Sequence, residues 1–186
     1  LSLPSLRIDS FPARVTEEIG KVRSTGLTFA PEAGTERLRW AINKLIYDAD
    51  IFAKVRESVS SNQDTVKFYF MVGLPTETDD DVMGIVRMVE RIWQISREYP
   101  RRTNINVTLS PFAPRPHTPF QWDEVAPISE IIRKANLIRK KNRLNHVRFK
   151  HHMAETSILQ AVLGRGDRRM GKVILGAWKQ GARFDG

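Results

Sequence analysis

Polar strand-end motifs, rather than soft metal ligands, carry the chemistry that this sequence could do: it has four histidines and no cysteine. Without cysteine the chain offers no disulfide, zinc finger, thiol nucleophile or thiolate-held iron–sulfur cluster of its own. His151 and His152 are adjacent, and neighbours point oppositely on a strand or sit about 100° apart on a helix, so they make a poor chelating pair. No Ser/His/Asp order or phosphate loop is present, since Gly164-Arg165-Gly166 lacks the length and the lysine. Arg165, Arg168 and Arg169 around Asp167 could grip a phosphate at a helix start or form an ion-pair cluster. Two motifs remain. Pro31-Glu32-Ala33-Gly34-Thr35 puts a carboxylate where a strand turns into a helix. Glu32 there could accept hydrogen bonds from vicinal ribose hydroxyls while Gly34 lets the backbone come close, or it is simply a turn residue near a helix N-terminus. Gly73-Leu74-Pro75-Thr76-Glu77-Thr78 ends an aromatic strand with a glycine against which a flat base could stack, or it is a plain strand-to-helix turn.

The elements that position these motifs follow from periodicity and turn chemistry. Leu3 to Asp9 reads as a strand and Pro12 to Arg23 as a helix, with proline early in the helix where its missing N–H costs nothing. Gly26 to Pro31 is a second strand. Leu38, Ala41, Ile42, Leu45 and Ile46 fall on one helical face, and Asp48 to Ser58 extends or restarts that helix. Val66 to Val72 is nearly continuous in apolar and aromatic residues, which predicts a strand covered on both faces. Thr78-Asp79-Asp80-Asp81 resembles a capping box ahead of a helix whose buried stripe is Val82, Ile85, Val86, Val89, Ile92 and Trp93. Thr103 to Ser110 is a fourth strand. Pro111 to Pro127 holds five of the ten prolines and reads as a long loop. Ile128 to Arg143 is a basic amphipathic helix with Ile128, Ile131, Ile132, Ala135 and Ile138 on one side. Val147 to Lys150 reads as a short strand, followed by one or two helices broken near Gly164-Arg165-Gly166-Asp167.

Repeated strand–helix units imply right-handed parallel crossovers and an α/β fold. Four units fall short of the ~250 residues of a full eight-unit barrel, so a partial TIM-like (β/α) barrel is expected. Alternation along the strands sorts their faces. Leu6, Ile8, Leu27, Phe29, Phe68, Phe70, Val72, Ile105, Val107 and Leu109 can pack under helices. The opposite set includes Arg7, Asp9, Thr28, Glu32, Lys67, Tyr69, Asn106 and Thr108. A barrel packed only for stability fills its interior with branched apolar side chains, so this set suggests a wet cavity for a polar ligand, served by loops at the C-terminal strand ends. A sheet with one face in water, or a charge network without a ligand, would give the same pattern.

Length and charge frame this reading. A chain of 186 residues suits one compact domain or part of a larger one. Residues 1–126 hold 16 basic and 17 acidic residues, net −1, and residues 127–186 hold 14 and 4, net +10, which together give the overall +9. The division expected is therefore a barrel portion over 1–126 and a basic helical extension over 127–186. The extension either favours polyanionic partners, nucleic acid included, or is a solvated helix face. No run reaches the ~18–20 apolar residues of a membrane span and no signal-peptide pattern opens the chain, so a cytoplasmic protein is expected. Leu1 rather than Met opens the sequence, and a longer protein with an upstream domain is expected.

The motifs together resemble the later half of a radical S-adenosylmethionine enzyme. Gly26-Leu27-Thr28-Phe29-Ala30-Pro31-Glu32-Ala33-Gly34-Thr35-Glu36-Arg37-Leu38, followed by Ile42-Asn43-Lys44, resembles the family's ribose-binding strand and helix. Phe70-Met71-Val72-Gly73-Leu74-Pro75-Thr76-Glu77-Thr78 resembles its adenine-contacting strand. Ser110-Pro111-Phe112-Ala113-Pro114, with Pro116-His117-Thr118-Pro119-Phe120, resembles the loop after the sixth strand. Pro4-Ser5-Leu6-Arg7-Ile8-Asp9, Arg165-Gly166-Asp167-Arg168-Arg169 and Gly181-Ala182-Arg183-Phe184-Asp185-Gly186 look like a branch often fused to a cobalamin-binding-type domain. The resemblance implies about four units of a six-unit barrel in which a 4Fe-4S cluster reductively cleaves S-adenosylmethionine to start radical chemistry on a substrate. The cluster's CxxxCxxC cysteines and the methionine-binding motif of the second strand would lie upstream of Leu1, leaving this chain alone inactive. By the same resemblance Glu32 holds the ribose hydroxyls, Gly34 lies beside it, and Lys44 pairs with the methionine carboxylate or is a solvated helix lysine. Met71 and Gly73 border the adenine, with Ser110 or Phe112 on its other side. Arg7 and Tyr69 contact substrate or serve as buried structural partners. The substrate itself is open, with RNA or another phosphate-bearing molecule compatible with the basic extension.

Overall fold

The computed structural model describes residues 27–61 and 64–182. Four strands, β1 (Leu27–Glu32), β2 (Thr65–Val72), β3 (Asn104–Pro111) and β4 (Val147–His151), form one sheet in the order β1-β2-β3-β4, every pair parallel. Helices α1 (Glu36–Ala41) and α2 (Asp48–Ser60) connect β1 to β2, α3 (Asp79–Arg97) connects β2 to β3, and α4 (Ile128–Lys141) connects β3 to β4. Helices α5 (Ala154–Arg165) and α6 (Met170–Lys179) follow. Parallel strands in sequential order are the mark of right-handed crossovers that all return on one side. The chain is thus an α/β fold of the kind shared by partial (β/α) barrels and Rossmann-type sheets. The expected strand at Leu3–Asp9 and helix at Pro12–Arg23, with Arg7 and Asp9, lie outside the described residues. Beyond residue 126 the chain supplies helices and also β4, the fourth strand of the sheet.

One face of the sheet is dry. Phe29, Val66, Phe68, Phe70, Val72, Ile105, Val107 and Leu109 are buried in one core with Ile51, Val55 and Val59 of α2, Val82, Ile85, Val89 and Ile92 of α3, and Ile131 and Ile138 of α4. Phe29 stacks on Phe68 with ring centroids 5.4 Å apart. The other face is polar. Although its run of apolar and aromatic residues predicts a strand covered twice, β2 is covered on one face among the described residues, leaving Lys67 and Tyr69 exposed. Tyrosine and methionine read as apolar in a hydropathy run, yet here they alternate with phenylalanine on the open side.

Two further departures have local causes. The helix expected through Ile46 stops at Ala41: Asn43 takes a left-handed backbone, φ 57°, and Leu45 is 69% exposed. Buried Arg39 makes that break worthwhile, donating to the carbonyls of Ile46 (2.9 Å) and Ala33 (3.1 Å) and pairing with Asp48. On α4, Ile132 is exposed, and Lys134 takes a buried place instead.

Candidate functional site

The C-terminal ends of β1, β2 and β3 stand side by side, and the loops leaving them share a small apolar cluster apart from the main core. Ala33, Leu38, Leu74 and Phe112 are buried there, with Ile42, Met71 and Phe120 packed around them. Beside it opens a cavity of about 390 Å³ lined by Met71, Ser110, Phe112, Phe120, Arg115 and Gln160 among others. Phe120 meets Phe112 edge-on, ring centroids 5.9 Å apart at 86°. The backbone N–H of Phe112 donates to the carbonyl of Val72 (2.8 Å), carrying the sheet ladder into the cavity wall. Three of the expected adenine-side residues, Met71, Ser110 and Phe112, therefore line one pocket.

Glu32 and Lys44, expected on opposite ends of a bound ligand, are brought together: Lys44 Nζ donates to Glu32 Oε1 at 2.9 Å. Both side chains remain partly open, 27% for Glu32 and 31% for Lys44. Strand parity does not set the direction of Glu32. A bulge shifts the register between Phe29 and Glu32, pairing Glu32 with Phe70, and Glu32 takes a left-handed backbone, φ 70°. For a non-glycine residue that conformation costs on the order of 1–3 kcal/mol and persists only where surrounding structure enforces it. The enforcement comes from Arg39, whose hydrogen bonds fix the carbonyl of Ala33 on one side of the loop and that of Ile46 on the other. The Lys44 N–H also donates to the Arg39 carbonyl (2.8 Å).

Gly34 has a packing role. A Cβ there would stand 2.2 Å from the backbone N of Ile85, and one on Gly84 would meet the Gly34 carbonyl at 2.7 Å. The two glycines let the β1–α1 turn rest directly on α3. Asp81 locks the same junction, accepting from Thr35, Arg37 and both the N–H (2.8 Å) and hydroxyl (2.7 Å) of Thr78, so the expected capping box also ties two loops together. Burial alone would raise the Asp81 pKa, but the hydrogen bonds from Arg37, Thr35 and Thr78 outweigh it and hold the carboxyl well below its ordinary range.

Gly73 occupies φ 82°, and its N–H donates to Glu77 Oε2 at 2.7 Å. Glu77 also accepts from Lys134 Nζ at 2.8 Å, with 2% of the Glu77 side chain and 8% of the Lys134 side chain exposed. Burial pushes the Glu77 carboxyl up, while Lys134 and the Gly73 N–H oppose it. A buried ion pair thus holds the turn expected to border an adenine. Sequence reasoning missed both Arg39 and Lys134 because each reads as an ordinary helix cation; their partners lie across turns or 57 residues away. Tyr69 is on the polar sheet face, 38% exposed, and its row-mates are Thr108 and Lys150. Arg7 lies outside the described residues. Among the described residues, no three His, Asp or Glu side chains gather as a metal site, and no helix is long and apolar enough to cross a membrane.

No family model matches the chain. It is 31% identical over 175 residues to an uncharacterized protein of Methanocaldococcus jannaschii, an alignment that covers 94% of this chain and 37% of that protein. The chain thus spans little more than a third of the length of the relative it matches.

Proposed function

We propose that the chain is the later part of a radical S-adenosylmethionine enzyme barrel and binds the nucleoside end of S-adenosylmethionine across the C-terminal ends of β1, β2 and β3. The observation that carries this reading is the convergence, at one sheet edge, of a strained carboxylate turn at Glu32 and a pocket lined by Met71, Ser110 and Phe112. A pocket of about 390 Å³ is in the range of small-ligand sites. In it Phe112 and Met71 offer apolar surface to a base, and the Glu32 carboxylate, outside that lining on the turn whose Ala33 packs in one cluster with Phe112 and Met71, accepts from the ribose hydroxyls. The Glu32–Lys44 pair is half-open, and such pairs contribute at most about 1 kcal/mol, so a ligand can take it over. Lys44 is then released toward the methionine carboxylate, while Arg39 keeps the loop in place. The 186 residues contain no cysteine, so none of them holds a 4Fe-4S cluster. Supplied from outside this chain, the cluster provides the electron that cleaves S-adenosylmethionine. The upstream coding sequence tests the reading: three cysteines spaced CxxxCxxC support it, and their absence overturns it.

A second reading has its own observation. The last turn of α4 carries Arg139, Lys140 and Lys141, all exposed, which suits a nucleic-acid-binding surface on the basic helices. Retention on heparin that falls steeply with salt, in a protein that does not bind S-adenosylmethionine, favours it.

A further inference from the structure

The polar face of the sheet is more than wet; it is cationic in an ordered way. Strand register sets out two rows across it. Thr28, Lys67, Asn106 and Arg148 are successive partners on β1 to β4, and Tyr69, Thr108 and Lys150 are successive partners on β2 to β4. Lys67, Arg148 and Lys150 are exposed, and the side chains of all three lack a hydrogen bond or ion pair among the described residues. Among the described residues no acidic residue shares these rows, and Glu32 at the strand end is already matched by Lys44. On the helix side most of the cations near the strand ends are paired, while Arg139, Lys140 and Lys141 in the last turn of α4 have no carboxylate partner among the described residues. Arg37, Arg39, Arg56, Arg87, Arg133 and Lys134 each have a carboxylate partner.

Strands lie about 4.8 Å apart, so Lys67 and Arg148 arise about 10 Å from one another, and Arg148 and Lys150 arise about 7 Å apart along β4. Stems as long as those of lysine and arginine can reach from those three points to Asn106 and Thr108, which lie between them in the register. A planar arginine fork, two ammonium groups and neutral donors around one patch form a set that matches phosphate oxygens. Tyr69 offers a half-exposed ring beside it, on which a base can stack.

We infer that the polar sheet face binds the substrate of the proposed enzyme, and that this substrate carries phosphate, gripped by Lys67, Arg148 and Lys150 beside Tyr69. The inference rests on the S-adenosylmethionine reading for the word substrate but not for the binding itself. Phosphate borne by a free nucleotide and phosphate in a nucleic-acid strand share this chemistry, and two probes separate them. The full-length protein and its triple variant Lys67→Ala/Arg148→Ala/Lys150→Ala are titrated with a 5′-mononucleotide and with a single-stranded RNA oligomer over a range of salt, and S-adenosylmethionine binding is measured on the same samples. At least one probe binds the parent and weakens about tenfold or more in the triple variant. If the RNA is the ligand, the salt slope also falls by about 0.7 for each cation that contacted phosphate. S-adenosylmethionine affinity stays unchanged. Single Arg148→Gln, at an exposed strand position, repeats the direction of the effect should the triple variant fold poorly. The inference is overturned if neither probe binds, if the triple variant binds like the parent, or if Arg139→Ala/Lys140→Ala/Lys141→Ala removes the binding instead. A parent that binds a phosphate probe through the triad but not S-adenosylmethionine sinks the enzyme reading alone.

Discussion

Alternate residues of the same four strands make two surfaces with opposite demands. On one, Phe29, Phe68, Phe70, Val107 and Leu109 lie buried beneath α2, α3 and α4. On the other, Thr28, Lys67, Tyr69, Asn106, Thr108, Arg148 and Lys150 stand in rows set by the same register. The dry face explains why the sheet exists, since removing that apolar area from water supplies the folding free energy. The wet face contributes little to that energy, so its residue types are free to serve a ligand. The seam between the two, at the C-terminal strand ends, is where charges are buried and the backbone is strained, and there the candidate site lies.

Substitutions can test this division, and the dry face gives the largest effect. Phe68→Ala removes a fully buried ring and is expected to destabilise by about 3–5 kcal/mol in denaturant titration. Lys67→Ala, one residue away on the other face, is expected to change stability by no more than about 0.5 kcal/mol. Equal losses would erase the distinction between the faces. At the seam, Lys134→Met leaves Glu77 buried without its cation, and a loss of about 3 kcal/mol is expected near neutral pH. Because the unpaired Glu77 carboxyl is raised by burial, that loss should shrink as pH falls and the carboxyl protonates, a trend followed by repeating the titration in acid. Asp81 should act in the opposite sense. Its folded pKa is depressed, so its contribution is complete above the ordinary value of 3.8 and declines as pH falls below it. Thermal melts of the parent should therefore lose more between neutral and acid pH than those of Asp81→Asn; parallel losses would remove Asp81 from the junction.

The wet and dry faces were legible in the sequence because alternation with period two is a local signal, and so was the Thr78–Asp81 capping box. That Met71, Ser110 and Phe112 lie near one another was implied by the family resemblance, and the neighbouring ends of β2 and β3 bring them into one pocket. What the sequence hid is non-local. Nothing near Lys134 announces that Glu77 lies against it, and nothing near Arg39 announces two loop carbonyls and Asp48. The bulge at Glu32 defeated simple parity, since a left-handed residue turns the chain by a half-step that counting cannot see. Arg148 and Lys150 went unassigned to the polar face because so short a strand as β4 carries little pattern of its own.

The central claim is that the Glu32 turn binds S-adenosylmethionine, and calorimetric titration of the full-length protein and its Glu32→Ala variant tests it most directly. The account predicts binding by the parent and a loss of about 1–3 kcal/mol in the variant, the scale of hydrogen bonds to a charged partner left unmade. Affinity within error of the parent, in a variant that folds normally, would contradict it.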